Sequence, residues 1–122
     1  MTSAFSGIRI LDFTRRLPGA MAMMLFADFG ADVVRVSAPA DEAERAHPGY
    51  LCWDRNKRRV ALDVGTYDGL AAVRQLLARS DVAVFDSHSG ELERLGLDAT
   101  TLLAANPALL HAWLPPYGTE GR

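Results

Sequence analysis

Two consecutive arginines, Arg15 and Arg16, occupy a turn between an apolar strand, residues 8–13, and an apolar helical run, residues 20–29. Backbone amides at the start of a helix attract anions, and guanidinium groups add charge-assisted hydrogen bonds. This turn therefore suits a phosphate or a pyrophosphate. A solvated turn that binds nothing is equally consistent with the two arginines. The three spaced glycines of the dinucleotide fingerprint are absent here, which gives NAD or FAD little support.

Further charged residues follow later strands and helices. Asp86 ends a strand, where its carboxylate would either accept hydrogen bonds from a ribose or an adenine or cap the following turn. Arg94, on the next short helix, is a further candidate for a phosphate contact. The basic run from Arg55 to Arg59 is interpreted as a solvated face, the commoner outcome for such runs. The histidines lack metal-ligand spacing and no nucleophile motif is visible, so we predict no metal-binding or catalytic residue.

Composition narrows the class of protein. The chain has 122 residues, is 49% hydrophobic and carries a net charge of −2, as expected of one small folded domain rather than a nucleic-acid binder. Its one cysteine excludes an internal disulfide framework and fits a reducing cytoplasm. We predict that this residue, Cys52, is small, apolar and buried. The longest apolar run, residues 20–27, is too short to cross a bilayer, so no membrane association is expected.

Strand and helix signals alternate along the chain. Near-continuous apolar strands are predicted at residues 8–13, 32–37, 60–64, 81–86 and 109–114. Residues 38–49 are predicted to be a loop with room for one helical turn. Thr66, Gly96 and Asp98 are typical of helix boundaries. The pattern predicts an α/β, Rossmann-like three-layer unit with a mainly parallel sheet and a binding crevice at the carboxyl ends of its strands. The run at residues 20–29 is apolar on nearly every face, which predicts self-association or contact with a further part of the protein.

The ordered succession of these segments resembles the N-terminal part of the family III CoA-transferases, which include formyl-CoA transferase, carnitine CoA-transferase and α-methylacyl-CoA racemase. The resemblance covers almost the whole chain and is carried by residues 6–15, 27–36, 56–63, 81–84 and 92–97, by Asn106-Pro107 and by Tyr117-Gly118. It implies that residues 1–122 are the N-terminal part of a CoA-binding large domain. The catalytic aspartate and a smaller domain are expected beyond residue 122, and the subunits are expected to form an interlocked dimer.

The resemblance also implies a site for coenzyme A, bound as a substrate or ligand rather than as a tightly held cofactor. Arg15, Leu62 and Arg94 would occupy contact positions, Leu17 and Pro18 would line the same turn, and Tyr117 and Gly118 would lie near the thioester. Asp86 lies at the same crevice edge.

The chain departs from the family pattern at this crevice. Ser37-Ala38 replaces an acid followed by Arg or Pro, residues 85–89 replace Glu-Asn-Phe-Arg-Pro, and Pro115-Pro116 replaces a small residue and a glycine. Weak binding of CoA is therefore expected. The leading hypothesis is the N-terminal portion of a protein that moves CoA between carboxylic acids or epimerises an acyl-CoA. The alternative is a degenerate, non-catalytic acyl-CoA-binding or structural module, and an unrelated nucleotide-binding module leaves the long match unexplained.

Overall fold

The computed structural model describes residues 2–41 and 47–120. Across that part of the chain, five parallel strands form one sheet in the order β3-β2-β1-β4-β5. The strands are β1 (Arg9–Asp12), β2 (Asp32–Ser37), β3 (Arg58–Ala61), β4 (Val82–Phe85) and β5 (Leu110–Trp113). The α/β class and the parallel sheet are therefore confirmed. The strand order reverses between β1 and β4, and ligands of open parallel sheets bind at the carboxyl ends of such a pair.

Helices cover both faces of this sheet. They are α1 (Leu17–Asp28), α2 (Gly49–Trp53), α3 (Tyr67–Leu77), α4 (Ser89–Leu95) and α5 (Ala99–Ala105), with a short 3-10 turn at Pro39–Asp41. The predicted loop thus contains helical turns at both ends, and its residues 42–46 lie outside the described part. None of the helices described is long and apolar enough to cross a membrane.

The helix boundaries follow from local chemistry. Thr66 caps α3, its Oγ1 accepting a hydrogen bond from the Gly69 amide at 3.1 Å. Asp98 caps α5 through the Thr101 amide at 3.0 Å. Gly96 ends α4 in the left-handed conformation, with φ of 67°, which glycine adopts without steric cost. All three predicted boundaries are confirmed.

The third strand differs from the prediction. It begins at Arg58 and ends at Ala61, whereas residues 60–64 were expected. In the sheet, Arg58 pairs with Val34 and Arg59 pairs with Arg35 of β2. Arginines are tolerated in this strand because β3 is an edge strand, so their charged side chains reach solvent. The apolar residues that suggested a longer strand, Leu62 and Val64, leave the sheet and pack against the core.

Two apolar clusters lie on opposite faces of the sheet, which confirms three layers. Leu11 and Val34 face α3, α4 and α5, in a cluster that includes Val73, Leu92 and Leu102. The neighbouring residues Ile10 and Val33 face α1 and pack against Met23 and Ala27. The alternation along each strand is that of a sheet covered on both faces.

Helix α1 has one covered and one uncovered apolar face. Ala20, Met23, Met24 and Ala27 are buried against the sheet. On the other side, every fourth residue is apolar and about half exposed: Leu17 46%, Met21 45%, Leu25 50% and Phe29 56%. We call these four residues the α1 stripe.

Candidate functional site

The turn between β1 and α1 is held from below by Asp12, the last residue of β1. This carboxylate is fully buried, and its Oδ1 accepts hydrogen bonds from the Thr14 amide at 2.9 Å and the Thr14 hydroxyl at 2.6 Å. Gly19, in the first turn of α1, leaves room for this arrangement, since a Cβ there would lie 2.5 Å from the Thr14 side chain. The backbone of the turn is therefore fixed before Arg15.

Asp86 holds the same turn from β4. Its two carboxylate oxygens accept the Arg15 amide at 3.0 and 2.9 Å, and its Oδ2 also accepts the Arg16 amide at 2.8 Å. The residue is only 5% exposed. The amides that the sequence suggested for a ligand phosphate are thus already bonded to an internal carboxylate. Asp86 therefore caps the turn of the neighbouring strand, whereas the two roles predicted for it were capping the turn after its own strand and binding a ribose or an adenine.

Lys57 is the residue of this region that sequence reasoning missed. Its side chain is 0% exposed, and its Nζ donates to Asp12 Oδ2 and to the Ala20 carbonyl oxygen, both at 3.1 Å. Lys57 therefore ties β1 and α1 together beneath the turn. A lysine flanked by Asn56 and Arg58 in a basic run carries no sequence signal of burial.

A second buried ion pair lies beside this lysine. Arg35 Nη1 is 2.7 Å from Asp54 Oδ1, and the Arg35 guanidinium lies 4.6 Å from the centre of the Tyr50 ring. Asp54 Oδ2 accepts no hydrogen bond and is 3.5 Å from Arg59 Nη1, close enough for an ion pair. Burial is the largest single effect and lowers the pKa of Arg35. The hydrogen bond to Asp54, the charge of that carboxylate and smaller contributions from Tyr50 and Asp12 together outweigh it, so the pKa is raised overall.

Most of the basic run from Arg55 to Arg59 is exposed, as predicted, and the exception is Lys57, whose side chain is buried. Besides the buried Lys57, Arg55 binds Asp28 at 2.6 Å and Arg58 binds Asp32 at 2.6 Å. The hydrogen bonds donated by the two arginines hold the pKa of each of these carboxyls below its ordinary value. The run therefore links the loop after α2 to the carboxyl end of α1, at Asp28, and to the amino end of β2, at Asp32.

A crevice opens above the carboxyl ends of β1, β2 and β4. Its floor is apolar, with the rings of Phe13 and Phe85 stacked at 4.6 Å, and Leu62 and Val64 form one wall. Arg15 lines its mouth with a side chain that is 49% exposed and whose Nε lies 3.9 Å from Asp41 Oδ2. That weak contact leaves the guanidinium able to bind an anion whose apolar part rests on the floor.

The structure brings only some of the predicted site residues into this crevice. Arg15 and Leu62 line it together, and Asp86 lies behind the turn. The residues of α4 that line it are Glu91, Leu92 and Leu95 rather than the exposed Arg94. Four predicted residues lie elsewhere: Leu17 and Pro18 at the exposed start of α1, and Tyr117 and Gly118 in a separate depression after β5.

The prediction for Cys52 is wrong. The residue is exposed on α2, where its Sγ is 3.1 Å from Arg55 Nη1. The five-residue helix α2 buries none of its residues, so there is no interior at this position for a small apolar side chain to fill. His111 is half-buried, stacks on Phe85 and has Nε2 3.0 Å from the Leu97 carbonyl oxygen.

Known proteins resemble this chain in sequence and in backbone. The model of CoA-transferase family III matches residues 5–122. An α-methylacyl-CoA racemase of Mus musculus is 36% identical over 115 residues, covering 94% of this chain and 29% of the relative. A probable fatty acyl-CoA transferase of Mycobacterium tuberculosis is 34% identical over 126 residues, covering 94% of this chain and 32% of the relative.

A solved structure agrees with this match. The crystal structure of a hypothetical protein from Mycobacterium tuberculosis has a TM-score of 0.91 and 33% identity, covering 98% of this chain and 36% of that one. The chain thus spans about a third of the length of the proteins it resembles. With a family match from residue 5 to residue 122 and relatives above 30% identity, the chain belongs to CoA-transferase family III.

Proposed function

We propose that this chain forms the N-terminal, CoA-binding part of a protein that transfers CoA between carboxylic acids or epimerises an acyl-CoA. Family membership supports the class of substrate, because members of the family act on CoA thioesters. One structural observation indicates where CoA would bind. The half-exposed Arg15 guanidinium stands at the mouth of an apolar-floored crevice where the strand order reverses.

In this proposal Arg15 binds a phosphate of CoA through its side chain. The amides of the turn take no part, because Asp86 already accepts their hydrogen bonds. Leu62 offers an apolar wall to the ligand, and Arg94, exposed on α4, contacts a second phosphate. The acyl end then extends past the start of α1, with Leu17 and Pro18, towards Tyr117 and Gly118.

Covalent transfer requires a carboxylate that is free to attack a thioester. The buried aspartates around the crevice are not free: Asp12 is bonded to Thr14 and Lys57, Asp54 to Arg35, and Asp86 to the turn amides. We therefore assign the nucleophile to a part of the protein outside these residues. The 122-residue chain alone is expected to bind CoA weakly and to catalyse no thioester exchange.

Calorimetric titration of CoA tests the site. Arg15→Ala and Arg94→Ala should each weaken binding about ten-fold, since a charge-assisted hydrogen bond to phosphate contributes about 1.5–3 kcal/mol. Arg74→Ala is the matched control, because Arg74 is exposed on α3 and does not line the crevice. Unchanged affinity in both the Arg15→Ala and the Arg94→Ala variants would show that the phosphates bind elsewhere. Absence of heat at millimolar CoA would refute binding by this chain and support the non-catalytic alternative.

A thioester-exchange assay tests the absence of catalysis. The chain is incubated with an acyl-CoA donor and a carboxylic acid acceptor, and the appearance of the new thioester is followed. Turnover above background that is lost on mutating an aspartate within the chain would contradict the assignment.

We also propose a cytoplasmic location, which the single, exposed cysteine suits.

A further inference from the structure

A second cleft lies at the amino-terminal edge of the sheet, opposite the crevice. Arg9 at the start of β1, Arg58 at the start of β3 and Arg79 just after α3 line it. Its volume is about 360 Å³, near the lower end of the range for small-molecule sites. We call it the arginine cleft.

The positive charges of the arginine cleft exceed its negative charges. Arg9 Nε lies 3.1 Å from Asp32 Oδ2, and Arg58 Nη2 lies 2.6 Å from the same oxygen, so two guanidinium groups share one carboxylate. Asp81, nearby, accepts the backbone amide of Arg9 and does not line the cleft. Arg9, Arg58 and Arg79 line the cleft, none of the described residues that line it is acidic, and the Asp32 carboxylate pairs with only two of these three arginines.

Arg79 is the arginine with no assigned partner in this group. Among the residues that the structure describes, its guanidinium makes no hydrogen bond or ion pair. Its backbone carbonyl accepts from Arg9 Nη1 at 3.3 Å, and its backbone amide donates to the Leu76 carbonyl at 3.1 Å. A cation after the last turn of α3 would stabilise the helix end by itself. If this were the only role of Arg79, its replacement would leave ligand binding unchanged. A binding measurement therefore distinguishes stabilisation of the helix end from binding of an anion.

A fourth arginine, Arg59, also lines the cleft, but its guanidinium is directed towards Asp54 at 3.5 Å. Beneath the arginines the floor is apolar and is formed by Leu11, Val34 and Leu76. Arg9, Arg58 and Arg79 line the same cleft, the guanidinium groups of Arg9 and Arg58 meet on one carboxylate oxygen, and Arg9 Nη1 also reaches the backbone carbonyl of Arg79. Converging cations favour a compact dianion over an acid whose two charges lie far apart.

We propose that the arginine cleft binds a small phosphate monoester whose organic part is apolar. A monoester carries a charge of about −1.5 to −2 at pH 7, opposite in sign to the arginines that line the cleft. Its three oxygens accept hydrogen bonds from the guanidinium groups, and its apolar body rests on the half-buried Val60 and Leu76. This site is separate from the CoA crevice, because the two lie at opposite ends of the strands.

Calorimetry with phenyl phosphate on the full 122-residue chain tests the proposal. Phenyl sulfate, a monoanion of the same shape, and inorganic phosphate, which has no apolar part, should each bind about ten-fold more weakly or worse. Arg79→Gln should weaken phenyl phosphate about ten-fold, as expected for loss of one charge-assisted pair. Arg74→Gln on the same helix is the matched control and should bind as the wild type does. Neither arginine side chain has an assigned partner, so both variants should fold.

Several results would overturn the proposal. Equal affinity for phenyl sulfate would exclude a requirement for a dianion, and equal affinity for inorganic phosphate would exclude a role of the apolar floor. Binding that Arg79→Gln leaves unchanged, or that Arg74→Gln weakens equally, would place the ligand elsewhere. No binding at millimolar phenyl phosphate would leave Arg79 as a helix-end cation only.

Discussion

Three charged side chains hold the β1–α1 turn in place. Asp12 fixes Thr14 from below, Asp86 binds the amides of Arg15 and Arg16 from β4, and Lys57 neutralises Asp12 while bonding to α1. A buried carboxylate is costly unless it is paired and hydrogen-bonded. The position of the Arg15 guanidinium therefore depends on a lysine that lies in a different loop.

Replacing this lysine tests that dependence. Lys57→Met should lower the free energy of unfolding by about 3–5 kcal/mol, because it leaves the Asp12 carboxylate buried without its cation. The double variant Lys57→Met/Asp12→Asn should recover part of the loss. Urea denaturation followed by circular dichroism measures each value.

The matched control for this experiment is Arg59→Met. The Arg59 side chain is 48% exposed, and pairs of this kind contribute about 0–1 kcal/mol. A loss in Lys57→Met no larger than that of the control would contradict the role given to the buried pair.

The site could be predicted from sequence only where local pattern determines it. Arg15 was identifiable because it stands between a strand and a helix, and that position alone places it at the carboxyl edge of a parallel sheet. Lys57 and Asp86 were not assignable, since their partners are 45 and 70–71 residues away in the chain. Pairings at such separations are set by the packing of whole elements and leave no local signal.

Three strands are joined at their amino ends by Asp32 of β2. Its carboxylate pairs with Arg9 of β1 and Arg58 of β3, on either side of it in the sheet. These hydrogen bonds, first that from Arg58 and then that from Arg9, hold the pKa of Asp32 below its ordinary value of 3.8. Because the folded-state pKa is the lower one, the stabilisation is present above the unfolded pKa and is lost as the pH falls through the folded pKa.

The pH dependence of the Asp32→Asn variant checks this linkage. Its free energy of unfolding should fall below that of the wild type by a constant amount above about pH 5, where the carboxyl is charged in both states. The difference should shrink as the pH is lowered below about 4. Urea midpoints of both proteins across that range give the comparison. A difference that grows on acidification would contradict the direction of the pKa shift.

Element type was predictable because it depends on short-range pattern. The caps at Thr66 and Asp98 and the left-handed Gly96 follow from their own side chains, so α3, α4 and α5 were placed closely. The start of β3 was not predicted correctly, because two arginines in an edge strand resemble loop residues until the partner strand is known. Edge position is a property of the sheet and not of the segment.

At the scale of the molecule, the α1 stripe is a surface without an assigned partner. Its apolar side chains repeat every fourth residue along the outer side of the helix, about half exposed. Contiguous apolar surface of this kind usually marks an interaction site on a soluble protein. We propose that a second copy of the chain covers it.

Sedimentation velocity at micromolar concentration tests the association. The wild type should sediment as a dimer or larger species, and Leu25→Lys, which places a charge in the middle of the α1 stripe, should shift it towards the monomer. Leu103→Lys is the control, since Leu103 is 37% exposed on α5, which packs on the face of the sheet opposite α1. A wild type that remains monomeric, or a control that dissociates equally, would contradict the role of the stripe.

The central place of β1 in the sheet has a consequence for how the chain is made. Ile10 pairs with Val33 of β2 on one side and with Val82 of β4 on the other. One edge of β1 therefore stays unpaired until β4 has been synthesised. At about 5–20 residues per second, the roughly 45 residues between β2 and β4 take about 2–9 s to synthesise. During that interval the nascent β1–β2 pair presents an apolar open edge, and strands of neighbouring nascent chains compete for it. Faster translation between β2 and β4 should therefore raise the yield of folded protein, and pausing there should lower it.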